Sequence, residues 1–434
     1  MATEAQANAA KRKHSAHLRT LPGVCGVGTE KDASGTFYLA VHLDAAVPEA
    51  GNAVPATLDG VRQELVKLQA GDVENLAIWR EMIRLSQAQF DTMYARLGAR
   101  FDVTLGESFY NPQFKPIVQE LVTRGIATES DGALCVFSDS TLKPEDDPFL
   151  IKDQDGWRAN PALVQKSDGA ANYTTTDLAT LQYRLATWSP DEIVYVTDGR
   201  QQLHFRQFFA IHRRWHPEAT VKLAHVWFGS ILGEDGRPFK TRSGDTIRLA
   251  ELLDEAEERA LKLVVEKNPD LPDAERREIA RIVGIGAVKY ADLLPNRQSD
   301  YTFSWEKMLS FQGNTAPYLQ YSYVRIRSIF RKSGSEFQIS DFRFQNSEPS
   351  ELALAKKLLQ FGEVLPQVLE DYRPNVLANY LYELASAFHG FFEACPVLKS
   401  EDEIRASRLT LCDATARLLR QGLALLGIEV PERM

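Results

Sequence analysis

The chain predicts an α/β domain followed by an all-α domain, and three observations carry that reading. Between about residue 160 and residue 256, strand-like and helix-like patterns alternate: PALVQK (161–166), DLATLQYRLATW (177–188), EIVYVT (192–197), HFRQFFAIHRRW (204–215) and TVKLAHVWF (220–228). That is the β/α rhythm of a parallel sheet with helical crossovers. After Leu249 strand patterns nearly vanish, and helical periodicity fills 250–292, 316–331, 351–370, 376–394 and 402–426, closing at Gly427. A length of 434 residues leaves room for about two to three domains.

In chain order, residues 1–61 carry strand-like GVCGVG, a DASG turn and the strand TFYLAVHL, which together predict a β-hairpin followed by a proline-punctuated loop. VKLQAGD (66–72) ends one helix, and Asp72 can cap the next. That next helix carries Trp79, Met82, Phe90, Met93 and Leu97 near helical spacing and stops at Gly98. PQFKPIVQELVTRG (112–125) predicts another helix. ALCVF (133–137) and PALVQK are strands flanking an acidic, solvated loop, KPEDDP. NPDLPDAERRE (268–278) reads as a loop and cap inside the helical third. The division expected is 1–61, 62–258 and 259–434.

Hydrophobic residues make up 44% and charged residues 25%, the balance of an ordinary globular chain with ample length for a core. The net charge of −9 excludes a global basic footprint, so any RNA contact must come from local patches. Cys25, Cys135, Cys395 and Cys412 form neither a CxxC pair nor a disulfide framework, which points to buried thiols in a reducing, cytoplasmic compartment. There is no run of eighteen apolar residues and no apolar core in the first thirteen, so neither a membrane span nor a secretory signal is expected. His225 and His389 have no cysteine partners, and no metal site is expected.

The most informative stretch is HVWFGSILGEDGRPFKTRSGDTIRLAELLDEA (225–256). It predicts a strand, a glycine-rich loop, then a helix capped by Asp245 or Thr246 with Leu249, Leu252, Leu253 and Ala256 as its apolar stripe. Lys240, Thr241 and Arg242 therefore lie just before a helix N-terminus, where loop N–H groups, the helix dipole and cations can together hold a polyphosphate. A merely solvated basic loop is the other reading. In TTTDLATL, Asp177 by itself reads as a helix cap. In APYLQYSYVRIR, Tyr318, Tyr321 and Arg325 share one helical face, while Leu319, Tyr323 and Ile326 share another. Aromatics beside arginine can stack and clamp single-stranded bases; a half-core, half-solvated helix has the same periodicity.

The loop resembles the degenerate KMSKS element of class I aminoacyl-tRNA synthetases, in the FGSxLGxDGxPFKTRSG form of arginyl-tRNA synthetases. GESFYNP (106–112), SDGAANYTTTDLATLQYR (167–184), VTDGRQQLHFRQ (196–207), VGIGAVKYADL (283–293), FQGNTAPYLQYSYVRIRSIFRK (311–332) and the terminal LGIEVPERM resemble that family in its own order. The resemblance covers roughly residues 62–434. It implies a class I, Rossmann-like nucleotide-binding domain, here without its amino-terminal half, followed by an all-α anticodon-binding bundle. By resemblance Asp177 pairs with the arginine side chain, Tyr173 at a strand end lines its pocket, and Gln201 contacts the substrate. His204, with Gln207 one turn on, would face an ATP cleft, and Gly229, Gly233 and Gly236 would let the backbone approach the nucleotide. Lys240 and Arg242 would close over ATP and stabilise the departing pyrophosphate. Tyr318, Tyr321, Arg325 and the terminal Met434 would meet the anticodon loop.

Residues 8–20, NAAKRKHSAHLRT, resemble the family's HIGH element, NxAKxxHxGHLRS, with His14 and His17 as its ATP-binding pair. Ala16 replaces the glycine on which adenine packs, and Leu21-Pro22-Gly23 interrupts the helix that should continue. The block 12–61 also resembles a small hairpin module found at the front of unrelated bacterial proteins, so a relict site and a chance match both stand. The function expected is arginine–tRNA ligation, with ATP and its magnesium counterion, L-arginine and tRNA(Arg) as partners of a monomer. The alternative is a defective or truncated paralogue that only binds tRNA or arginine.

Overall fold

A computed structural model describes the backbone of residues 24–31 and 37–43, and residues 72–167, 169–233, 236, 248–333 and 348–434 in full. Its contacts divide the chain into two units, Met1–Thr92 and Met93–Met434. In the first, β1 (Val24–Lys31) pairs antiparallel with β2 (Phe37–Leu43), in one register from Gly26 opposite His42 to Lys31 opposite Phe37, with a shift between Val24 and Gly26. Helix α1 (Val73–Leu97), whose last five residues belong to the second unit, begins where Asp72 accepts a hydrogen bond from the Asn75 amide at 3.0 Å, and stops at Gly98 with φ +64°. No residue of its expected apolar stripe is fully buried: Met82 is 62% exposed, while Trp79, Met93 and Leu97 are partly buried.

The α/β part of the second unit starts with α2 (Asn111–Thr123), whose Ile117, Val118 and Leu121 are buried. Five short strands follow: β3 (Thr128–Ser130), β4 (Ala133–Val136), β5 (Leu150–Asp153), β6 (Gly156–Ala159) and β7 (Ala162–Gln165). ALCVF and PALVQK are strands as expected, here β4 and β7, while β3, β5 and β6 are additional, and none of the five pairs in parallel. β3–β4–β7 is antiparallel, and β5–β6 is a separate hairpin. The reason lies in the connections. Asp131 and Gly132 both have positive φ, the two-residue turn that folds a strand straight back, whereas parallel pairing needs a long crossover. KPEDDP is not simply solvated either. Asp147 is buried, accepting from Ser138 Oγ at 2.5 Å and from the Phe149 amide at 2.8 Å.

The expected crossover appears next. Helix α3 (Tyr173–Trp188) leads to β8 (Glu192–Asp198), α4 (Gln202–Trp215) and β9 (Lys222–Phe228), and β8 pairs parallel with β9 over its whole length. Ile193 and Tyr195 on one face of β8 are buried in a core with Leu178, Leu181, Phe205, Phe208 and Trp215. Val194 and Val196 on the other face are 40% and 63% exposed. Two-residue strands β10 (Ile231–Leu232) and β11 (Tyr301–Thr302) form a second parallel pair.

The rest is helical: α5 (Leu249–Lys267), α6 (Asp273–Leu293), α7 (Trp305–Met308), α8 (Ala316–Ser333), α9 (Pro349–Leu359), α10 (Phe361–Glu370), α11 (Pro374–Ala394) and α12 (Asp402–Leu425). The expected junction at 258/259 falls in the middle of α5, and the expected 351–370 helix is broken at Gln360 into α9 and α10. α8, α9, α11 and α12 share one core, with Leu319, Tyr323 and Ile326 inward as the periodicity predicts. At the end of α12, Gly427 has φ +70°. Lys289 donates to the carbonyls of Gly427 and Leu97, so one ammonium serves two helix C-termini. Cys135, Cys395 and Cys412 are buried free thiols, and no described helix is long and apolar enough to cross a membrane.

Candidate active site and a cationic cavity

The carboxyl ends of parallel strands, where chains diverge into loops, are the usual binding edge of an open α/β sheet. Here that edge is formed by Asp198 and Phe228, the paired ends of β8 and β9. Asp177 and His204 meet beside it. His204 Nε2 lies 2.5 Å from Asp177 Oδ2, with the two side chains 25% and 29% exposed. The helix carrying Asp177 begins four residues earlier than its own pattern suggests. Asn172, whose side chain accepts from the Tyr173 amide at 2.8 Å, is the cap. Asp177 is therefore free of capping duty and sits one turn inside α3, on the same face as Tyr173. Tyr173 is the first residue of α3 rather than the end of a strand, and it is 62% exposed. Gln201, exposed, ends the short turn after β8; beside it Arg200 is folded back on the Asp198 carboxylate at 2.9 Å.

Beneath these residues lies an aromatic floor. Phe205 stacks on His225 with centroids 4.2 Å apart, and Thr197 Oγ1 is 2.8 Å from His225 Nε2. Burial holds the His225 ring below the usual imidazole range, with Arg297 and His204 adding to the effect. Tyr195 lies under the Arg184 guanidinium at 5.2 Å, and burial pushes its phenol up to about 12. Gln207 does not accompany His204 toward a cleft. It is buried, donating to the carbonyls of Pro148 at 3.0 Å and Asn160 at 2.8 Å, and so ties α4 to the β5–β7 region. The site gains His225 in its place, which no local pattern marks; it sits under Phe205 only because β9 pairs with β8.

Of the loop glycines, Gly229 is packed against the chain itself: an added Cβ would lie 2.7 Å from the carbonyl of Ser299. Gly236 has φ +72° with open space around it, and its amide donates to Gly233 O at 2.9 Å. Lys240, Arg242, Asp245, Thr246, His14 and His17 lie outside the described residues; contrary to expectation, neither Asp245 nor Thr246 is the N-cap of α5, which starts at Leu249 with Arg248 in that position.

A second feature lies on the helical bundle. Tyr321, Arg325 and Met434 line one cavity of about 660 Å³ together with Arg331, Lys332 and Lys399. The Arg325 guanidinium is 4.9 Å from the centre of the Tyr321 ring and 5.3 Å from that of Phe392. Four cations, two aromatic rings and a terminal methionine in one concavity suit a polyanion carrying flat bases. Tyr318, expected beside Tyr321, lies behind this wall instead, stacked on His389 at 5.2 Å and packed on Tyr382.

Comparison with known proteins bears on both sites. The family described as tRNA synthetases class I (R), catalytic domain, matches residues 50–305, and the DALR anticodon binding domain matches residues 319–434. The arginine–tRNA ligase of Chromobacterium violaceum is 50% identical over 377 residues, covering 86% of this chain and 64% of that protein. That of Laribacter hongkongensis is 49% identical over 385 residues, covering 88% and 65%. Among solved structures, the Thermus thermophilus arginyl-tRNA synthetase matches with a TM-score of 0.73 at 28% identity, covering 89% of this chain and 68% of that one. The Plasmodium falciparum enzyme matches with a TM-score of 0.73 at 29% identity, covering 86% and 61%. The chain thus spans about two thirds or less of the length of the curated relatives it matches. With a catalytic-domain match over more than half its length and a helical anticodon-binding match over most of the rest, the chain belongs to the class I arginyl-tRNA synthetase family.

Proposed function

We propose that the protein activates L-arginine with ATP and transfers it to tRNA(Arg). The observation that carries this reading is Asp177: a partly exposed carboxylate, relieved of capping by Asn172, at the binding edge of a parallel sheet in a chain of this family. A carboxylate in that position receives a guanidinium through paired, charge-assisted hydrogen bonds. Tyr173 one turn earlier and Gln201 across the strand end complete the pocket. His204 holds Asp177 in the free protein and gives way to the incoming guanidinium on that side.

In the first step the arginine carboxylate attacks the α-phosphorus of ATP, forming arginyl-adenylate and releasing pyrophosphate. Lys240 and Arg242 neutralise the charge that leaves, with magnesium as the counterion of ATP. Gly233 and Gly236 let the loop backbone approach the nucleotide, Gly229 anchors the start of that loop, and His204 borders the cleft. His14 and His17 are further candidates for contacts to ATP. In the second step a ribose hydroxyl of tRNA takes the arginyl group and AMP leaves. Tyr321, Arg325 and Met434 hold the anticodon loop, with Tyr318 supporting them from behind. The division of labour proposed is 62–258 for chemistry and 259–434 for RNA, in a cytoplasmic monomer.

Arginine-dependent ATP–pyrophosphate exchange, with and without tRNA, tests this on the protein and on Lys240→Ala. Exchange that is lost in Lys240→Ala supports the reading. Absence of exchange with tRNA still retained sinks it, in favour of a chain that only binds RNA.

A further inference from the structure

His389 is half-buried on α11 and does not itself line the cationic cavity; Arg325, which does, leans on it. Arg325 Nη1 lies 3.0 Å from His389 Nδ1, and Arg325 Nη2 donates to the Tyr321 hydroxyl at 2.9 Å. A guanidinium can only donate, so Nδ1 must carry a lone pair and the ring proton must sit on Nε2. Nε2 in turn faces Ser322 Oγ at 3.1 Å, and the fully buried Ser322 hydroxyl donates to the Tyr318 carbonyl at 2.8 Å. One proton arrangement satisfies every contact: neutral imidazole, Nε2–H to Ser322, bare Nδ1 to Arg325.

We propose that His389 is a positioning residue for the cationic cavity, holding the Arg325 guanidinium against Tyr321 while neutral and releasing it when protonated. This rests on the reading that the cavity takes RNA. A proton on Nδ1 sets donor against donor and puts like charges at hydrogen-bond distance. Burial and Arg325 both disfavour that charge, while Glu393, further along α11, favours it; Tyr318 and Tyr382 add only neutral rings. The ring therefore titrates below the ordinary imidazole value of 6.5. A charged His389 also adds attraction for a polyanion, but it does so from behind the cavity wall, whereas the released Arg325 is lost from the wall itself.

The test is binding of a fluorescent RNA hairpin bearing an arginine anticodon loop, at constant ionic strength, from about pH 8 to about pH 5.5. The wild-type chain is expected to weaken by about threefold to tenfold on acidification. His389→Asn keeps an acceptor at the Nδ1 position and cannot titrate, so it is expected to bind like the wild type at the upper pH and to stay flat. His389→Phe keeps the stack on Tyr318 without the acceptor, and is expected to be weak at both ends. An Asn variant that follows the wild-type pH curve, or a Phe variant that matches the wild type at the upper pH, overturns the proposal. Isotope-edited NMR of the histidine rings decides the arrangement without RNA. A neutral Nε2–H ring whose protonation shifts the Arg325 side-chain N–H signals supports it, and an Nδ1–H ring overturns it. Failure of the wild type to bind the hairpin at any pH overturns the RNA reading, and the NMR result then still stands for or against the lock.

Discussion

Asp177 shows how little a local pattern says about a carboxylate. TTTD ahead of an apolar helix has the sequence of a cap, yet Asn172 takes that role and Asp177 bonds to His204 instead. Substituting Asp177→Asn keeps the shape and removes the charge that a guanidinium needs. The expected outcome is a KM for arginine raised by about a hundredfold in pyrophosphate exchange, with KM for ATP little changed. A change confined to ATP would remove Asp177 from the arginine pocket. His212 gives a second prediction at this scale. It is buried in the α/β core with Nε2 unpartnered, and burial depresses its pKa to about 4. The unfolded chain binds this proton near 6.5 and the folded one only near 4, so the unfolded state gains stability as pH falls through that window. Stability is therefore full above about pH 6.5 and is lost toward pH 4, by up to about 3 kcal/mol. Denaturant midpoints across that range check it, and His212→Leu is expected to flatten the slope.

At the scale of elements, the helix periods, the β1–β2 hairpin and the parallel β8–β9 crossover were legible, and the pairings among β3–β7 were not. Helices α5, α8, α11 and α12 lie within two residues or so of where the apolar spacing puts them, because a helix buries one face and writes that face into its sequence, whereas α6 starts at Asp273, inside the 268–278 stretch read as loop and cap. The strands β3–β7 are too short to show alternation, and their antiparallel pairing was set by turns at Asp131–Gly132 and around Gly156 that the reading overlooked. Helix packing adds a constraint no period reveals. Gly284 of α6 meets the backbone of α5 so closely that a Cβ would lie 2.7 Å from Ala256 O. Backbone cannot swing aside as a side chain can. Gly284→Ala is therefore expected to cost about 2–3 kcal/mol, read as a lowered denaturant midpoint at unchanged slope. Substitution without loss would mean the two helices can separate freely.

Across the whole molecule, Arg297 joins what the sequence keeps apart. Its guanidinium, 11% exposed, donates to Trp227 O at 2.6 Å near the end of β9 and to Asp371 O and Tyr372 O at 3.2 Å in the turn before α11. Its own carbonyl accepts from Gly229, where the glycine-rich loop begins. One side chain thus ties the strand that leads into that loop to the helical bundle. Arg297→Ala is expected to lower the turnover of pyrophosphate exchange by about tenfold while leaving binding of the RNA hairpin within about twofold. Equal losses in both would mean that the residue merely holds the fold.

What the sequence determined by itself was the order of the parts and their chemistry. Alternating patterns give way to helix at Leu249, the basic glycine-rich loop precedes a helix, and aromatic and arginine residues share one face of α8. Those features are local, written in spacings of a few residues, and the family resemblance rests on the same stretches. Tertiary structure decided which side chains meet. The Asp177–His204 contact, the seat of His225 under Phe205, the burial of Gln207 and the His389–Arg325 pair join residues 27, 20, 47 and 64 positions apart or more. No period reaches that far, because a contact between elements depends on how whole faces pack rather than on the text of either one.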